Sequence, residues 1–278
     1  MRHQLFLGLC ICVFATPGCS TGPQAPVRPG TGTLTADRFW ARALKETYKS
    51  PGELDAQNRA ELRKGLYYRK LIRGNPALKT VALTFDDGPH PKTTPALLDL
   101  LKKSNVKATF FVVGEMAEKH PELVRREVAD GHLVANHTFH HVNLTRVPEE
   151  QVLTEWQACN DVLRSITGRP VRFCRPPGGD YDSTVINAAQ AAGLTTVLWT
   201  DDPGDYASPG DQVLDKRIYR SISNGGIILL HDGIQQTLDV LPQIIRTLKR
   251  EGYRFVTVDE MQKTLPAHDH QIAMASVR

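Results

Sequence analysis

From Lys79 to about residue 258 the chain alternates short apolar runs with longer stretches of helical periodicity. The runs cover 80–85 (TVALTF), 107–113 (KATFFVV), 132–136 (HLVAN), 171–174 (VRFC), 195–200 (TTVLWT), 226–230 (GIILL) and 254–258 (RFVTV). Such runs, apolar on successive residues, suit strands buried on both faces. Amphipathic stretches around 95–103, 115–129, 148–166, 183–192, 211–222 and 238–250 predict the intervening helices, and Gly114, Gly131, Gly168, Gly193 and Gly252 stand at helix ends or turns. Doubly apolar strands separated by helices predict an α/β fold with a parallel sheet. About seven strand–helix units in about 190 residues fall short of an eightfold barrel. The expected architecture is therefore a distorted, incompletely closed (β/α) barrel of about seven strands.

The flanks are patterned differently. Ala36 to Arg73 is polar and helix-prone, with Phe39, Trp40, Leu44, Leu62, Leu66, Tyr67 and Leu71 at roughly helical spacings. It predicts helical packing added to the barrel, with no chemistry of its own. Thr21 to Thr35, rich in Pro, Gly and Thr, reads as a flexible tether. Ahead of it, Met1-Arg2-His3 and the apolar run Leu5–Ala15 have the form of a signal peptide, too short to span a bilayer. The junction Thr16-Pro17-Gly18-Cys19-Ser20 resembles a bacterial lipobox, with Thr16 where leucine is usual. Lipidation of Cys19 and plain cleavage are both readings of it. The expected organisation is a leader over 1–19, linker and helical extension over 20–78, the barrel over 79–265 and a flexible tail over 266–278. The expected location is the periplasm or cell envelope, with membrane contact only through Cys19.

Composition changes this picture little. In 278 residues, 41% hydrophobic and 23% charged content is ordinary for a globular chain. A net charge of +4 without a dense basic run argues against nucleic acid as a partner. Cys10 and Cys12 leave with the leader. Cys159 and Cys174 then either pair in an oxidising compartment or remain two buried thiols.

The chemistry lies at the ends of the runs. TVALTF releases Asp86-Asp87, HLVAN releases His137-Thr138-Phe139-His140-His141, and VRFC leads to Arg175-Pro176-Pro177. TVLWT precedes Asp201-Asp202, and GIILL precedes His231-Asp232. Parallel α/β folds gather their sites at the carboxyl ends of strands, so five such coincidences point to one site. Asp87, His137 and His141 are the candidate metal ligands. Two imidazoles and one carboxylate suit Zn²⁺ or another first-row ion such as Co²⁺ and leave positions open. An isolated HxxxH pair is weak evidence; its place at a strand end beside acids strengthens it. His140 is the spare, structural or solvent-facing. Adjacent side chains diverge, so Asp86 reads as a general base beside the metal rather than a further ligand, or simply as a turn cap. Arg175 would pair with that carboxylate. His231 is the candidate proton donor, tuned by Asp202 or Asp205; alone it would read as a core histidine.

These residues closely resemble the NodB-type polysaccharide deacetylases, carbohydrate esterases of family four. Thr84-Phe85-Asp86-Asp87-Gly88-Pro89, His137-Thr138-Phe139-His140-His141, Arg175-Pro176-Pro177, Asp202-Pro203-Gly204-Asp205-Tyr206 and Leu229-Leu230-His231 match the family's five motifs in order. Asn143-Leu144-Thr145 also resembles the family. The resemblance implies a distorted (β/α) barrel, Asp86 as base oriented by Arg175, and a metal on Asp87, His137 and His141. It further implies Asp202 as the acid tuning His231, and Leu229 as an apolar wall for the acetyl methyl. Two positions depart from the pattern: Gly178 and Gly179 stand where tyrosine often follows the third motif, and Tyr206 replaces the usual tryptophan. A backbone N–H at Gly178 still serves the oxyanion. The implied reaction is metal-dependent removal of N-acetyl groups from an N-acetylglucosamine-containing glycan. Rival readings are an O-acetyl (xylan-type) esterase, a non-catalytic glycan-binding envelope protein, and a 2-His-1-carboxylate iron oxygenase. Intact Asp86 and His231 disfavour the binding protein, and the α/β pattern disfavours the oxygenase.

Overall fold

The computed structural model describes Met1, Phe39, Ala43 and residues 46–266. The rest of the expected leader, Cys19, the tether over 21–35 and residues 267–278 of the tail lie outside the described residues. Eight strands make one parallel sheet: β1 (Lys70–Leu71), β2 (Thr80–Gly88), β3 (Thr109–Val112), β4 (Leu133–Asn136), β5 (Phe173–Cys174), β6 (Thr195–Val197), β7 (Gly226–His231) and β8 (Arg254–Phe255). The order is β1-β6-β5-β4-β3-β2-β7, with β8 added beside β2. The curled sheet meets itself between the end of β6 and β7 through one isolated bridge, Asp201 to Ile228. There the Leu229 N–H donates to the Asp201 carbonyl at 2.8 Å. A bridge where a ladder would close a regular barrel makes this the distorted, incompletely closed form that the pattern predicts.

Helices α2 (Thr93–Lys103), α3 (Gly114–Lys119), α4 (Pro121–Ala129), α5 (Glu149–Thr167), α6 (Ser183–Ala191), α7 (Asp211–Ser221) and α8 (Gln235–Arg250) intervene between the strands. The fully buried β2 shows why its run is apolar throughout. Val81, Leu83 and Phe85 pack outward with Ile228 and Leu230 of β7 against Leu97, Leu98 and Leu101 of α2 and Leu241, Ile245 and Leu248 of α8. Ala82, Ile227 and Leu229 face the other way, with Phe111, Ala135 and Phe173. Each such leucine or phenylalanine contributes about 2 kcal/mol on burial. This two-sided core fixes β2 against β7 over six residue pairs, and the last pair is Asp86 opposite His231.

Several elements differ from the sequence pattern. The run 254–258 is a strand only at Arg254–Phe255. Thr257 caps α9 (Val258–Lys263), its side chain accepting from the Glu260 N–H while Glu260 accepts from the Thr257 N–H. The run 171–174 pairs only at Phe173–Cys174. Within the extension, α1 (Pro51–Arg63) is helical as expected, opened by a Ser50–Glu53 capping box. The extension does not stay helical: the chain turns at Gly65, and Lys70 and Leu71 pair with Thr196 and Val197 as an edge strand.

Candidate active site

The pairing of β2 with β3 is irregular between Phe85 and Gly88, and Asp87 has φ 72°. This break in the strand overrides the divergence expected of adjacent side chains. Both carboxylates reach the mouth of the barrel, but toward different partners. Asp86 Oδ1 accepts from Arg175 Nη1 at 2.7 Å, and the same nitrogen donates to Thr84 Oγ1 at 2.8 Å. Arg175 is fully buried, with its guanidinium 4.1 Å from the Phe111 ring centroid and 5.5 Å from that of Trp199. Its Nε donates to the Val197 carbonyl at 3.2 Å. A buried cation so satisfied fixes the position of the carboxylate above it.

Asp87 turns to the histidines. Its Oδ1 lies 2.9 Å from His141 Nε2 and 3.4 Å from His137 Nε2. His137 presents Nε2 because its Nδ1 donates to the Arg175 carbonyl at 2.8 Å. One candidate ligand atom from each of Asp87, His137 and His141 falls within 4.8 Å of the others, and all three residues are buried. Asp87 Oδ1 and His137 Nε2 have no well-formed hydrogen bond among the described residues. Two buried imidazoles and one buried carboxylate that converge on one point fit a divalent first-row cation. Burial works to raise the Asp87 carboxyl, but the charge of His141 and the close approach of both imidazoles outweigh it and hold it well below its usual range. The loop carrying the histidines is strained, with Thr138 at φ 64° and His141 at φ 55°. It is braced by Glu155 of α5, whose Oε2 accepts from the N–H groups of Phe139 and His140 and whose Oε1 meets His140 Nδ1 at 3.0 Å. His140 is thus a buried structural member of the loop.

His231 lies across the pocket. Its Nδ1 and backbone N–H both contact Asp205, each at 2.7 Å, and Thr237 Oγ1 donates to the same carboxylate. Burial alone would lower its pKa, but Asp205, then Asp87 and Asp86, push it up to about 9. Among the described residues its Nε2 is buried without a hydrogen-bond partner. Asp202, the sequence candidate for this tuning role, is not the contact. Its Oδ1 accepts from the Gly204 N–H at 2.9 Å, so the Asp-Pro-Gly stretch is turn chemistry and Asp205 faces His231. Tyr206 stands edge-on to His231 at 5.5 Å. Leu229 is fully buried, on the same side of β7 as His231.

Gly178 lies in a tight turn with φ 65°, and a Cβ there would come within 2.8 Å of the Thr47 carbonyl. Gly179, at φ 71°, leaves room for the Trp199 ring, which a Cβ would meet at 2.4 Å. The space left by Gly178 is taken by the segment ahead of α1: the Lys49 N–H donates to the Gly178 carbonyl at 2.9 Å. Tyr48 stacks on Tyr206 at 4.4 Å and meets the His231 ring edge-on at 4.8 Å. Glu46 Oε2 is 3.3 Å from His141 Nδ1, and Phe39 packs against the His141 ring at 5.7 Å.

The structure therefore brings Asp86, Asp87, His137, His141, Arg175 and His231 together, with Tyr206 and Gly178 at the rim and Asp202 one turn away. Asp205, weighed in the sequence as the alternative to Asp202, takes the contact. Glu155, Glu46 and Tyr48 carry no sequence signal: they sit in ordinary charged or amphipathic stretches. Cys159 and Cys174 are two free, buried thiols.

A buried carboxylate and a buried histidine opposite each other at the ends of paired strands are groups that could serve a hydrolase as base and acid. The polysaccharide deacetylase family matches residues 73–197. A peptidoglycan-N-acetylglucosamine deacetylase of Bacillus cereus is 38% identical over 188 residues, covering 66% of this chain and 88% of the relative. A chitooligosaccharide deacetylase of Sinorhizobium fredii is 37% identical over 201 residues, covering 67% and 94%. The solved structure of a peptidoglycan N-acetylglucosamine deacetylase in complex with 4-naphthalen-1-yl-N-oxidanyl-benzamide superposes with TM-score 0.69 at 35% identity, over 73% of this chain and 95% of that one. The chain belongs to the polysaccharide deacetylases, carbohydrate esterase family four.

Proposed function

We propose that this enzyme hydrolyses the acetamide of N-acetylglucosamine units in an envelope glycan, peptidoglycan or a chitin-like oligomer, and releases acetate. The observation that carries the reading is the register that sets Asp86 opposite His231, base facing acid across one pocket. Asp87, His137 and His141 would hold a divalent ion, Zn²⁺ by their donor set. When bound, such an ion polarises a carbonyl and acidifies water. Asp86, held by Arg175, takes the proton of the attacking water. His231, protonated under the influence of Asp205, delivers a proton from Nε2 to the departing sugar amine. The Gly178 N–H is the candidate second donor to the oxyanion, and Leu229 the candidate wall behind the methyl.

The experiment is acetate release from peptidoglycan, chitin oligomers and acetylated xylan by the metal-loaded enzyme. Release from the first two classes with xylan untouched supports the reading; release from xylan alone overturns it in favour of an O-acetyl esterase. An envelope glycan as substrate also fits export, with Cys19 as anchor. Among the described residues no helix is long and apolar enough to cross a membrane. Detergent partitioning of the parent against Cys19→Ser tests the anchor.

A further inference from the structure

We infer that Glu46, supplied from outside the barrel, is a positioning residue of the metal site, holding the His141 imidazole with Nε2 toward the ion. The inference rests on the reading that Asp87, His137 and His141 bind a cation. A histidine ligand needs its second nitrogen held, because that contact sets the tautomer and the ring's orientation. His137 has such a partner within the barrel, the Arg175 carbonyl at 2.8 Å from Nδ1. For His141 the corresponding group is a carboxylate: Glu46 Oε2 lies 3.3 Å from Nδ1, while Nε2 lies 2.9 Å from Asp87 Oδ1. The Glu46 side chain is largely covered, at 15% exposure, and the His141 side chain is almost wholly so, at 1%.

The contact is held in place by more than two side chains. The backbone beside Glu46 is fixed to the barrel by the Lys49 N–H bond to Gly178, and by Tyr48 stacked on Tyr206. That approach is possible only because residue 178 lacks a Cβ: the Thr47 carbonyl and Glu46 Oε1 would stand 2.8 and 3.2 Å from it. A negative oxygen at Nδ1 makes the imidazole more basic at Nε2 and restrains its rotation in the strained loop. Glu46 thereby completes a carboxylate–histidine–metal relay whose parts come from two separate regions of the chain.

The test is metal affinity, read by chelator competition with Zn²⁺ on the purified full chain, with thermal unfolding as a check of folding. Glu46→Ala should weaken Zn²⁺ binding by about 10- to 100-fold. Glu46→Gln, which keeps an oxygen within reach of Nδ1 but carries no charge, should fall between alanine and the parent. Thr47→Ala, which leaves the Glu46 side chain and the Thr47 carbonyl in place, should match the parent. With Co²⁺ in the site, Glu46→Ala should also change the visible absorption, since the His141 ring would reorient. Folded Glu46→Ala and Glu46→Gln proteins with the parent's affinity would overturn the inference. Should alanine prevent folding, the glutamine variant decides alone. His137→Ala separates the two claims: if it keeps full metal, the cation site itself is misread. If it loses metal while the Glu46 variants do not, only the role of Glu46 fails.

Discussion

At the Asp87 end of the pocket, three buried candidate ligand atoms converge from a broken strand and a loop with two residues in the left-handed region. At the His231 end, Asp205 accepts from the ring nitrogen, the backbone N–H and the Thr237 hydroxyl, and Nε2 has no hydrogen-bond partner among the described residues. On the proposed reading, one end waits on an ion that the chain does not itself supply, while the other draws its charge balance from its own side chains. The contrast teaches which functions can be lost separately. Damage to the first end should remove an ion, whereas damage to the second should move a pKa and leave the ion in place.

The strongest way to break this contrast is His137→Ala. It should lose bound metal and lower kcat/KM by about a thousandfold or more, as several kcal/mol of charge stabilisation would require. Metal analysis and acetate release check it together. Asp86→Asn should keep the metal and lower kcat by about 10²–10⁴-fold, because an amide cannot take the proton. Full activity of this variant on an N-acetylated glycan would end the proposed mechanism.

Asp205→Asn should act through pH. His231 is raised to about 9 chiefly by Asp205 against burial, so its protonated form persists to high pH. Removing the carboxylate removes the main raising cause, and the basic limb of kcat/KM should move down by about one pH unit or more. The same shift affects stability. A raised folded-state value stabilises fully below the unfolded value near 6.5, and that contribution is lost as pH rises through about 9. Denaturant unfolding across that window should show the parent losing stability and Asp205→Asn losing less. The smallest effect is expected from Glu155→Gln, which keeps one acceptor for the 137–141 loop. It should cost about 1–2 kcal/mol of stability and only a small part of the metal affinity.

The barrel was legible because its strands are buried on two faces and their polar ends repeat. The same repetition singled out Asp86, Asp87, His137, His141, Arg175 and His231 together. Asp205 was harder to choose than Asp202, because nothing in the linear chain shows that Asp202 gives an oxygen to its own turn. Glu46 and Tyr48 were illegible for a different reason. Their stretch reads only as helix-prone, and the place of residues 46–49 is set by the room above Gly178, which only the folded barrel creates. The edge strand at Lys70–Leu71 was missed likewise: two residues are too few to show a period, and their pairing partner lies more than a hundred positions away.

Glu155 has a consequence for how this enzyme can be altered. It grips the histidine loop from the first half of α5, so the loop is not a self-contained cassette. A single insertion between Glu149 and Glu155 would rotate the carboxylate by about 100° around the helix and release both backbone N–H groups. Length changes beyond Cys159 would leave that grip alone. A ligand loop transplanted into another barrel must bring the register of its neighbouring helix with it, and a library that varies the loop while freezing α5 keeps the brace that makes the variation tolerable.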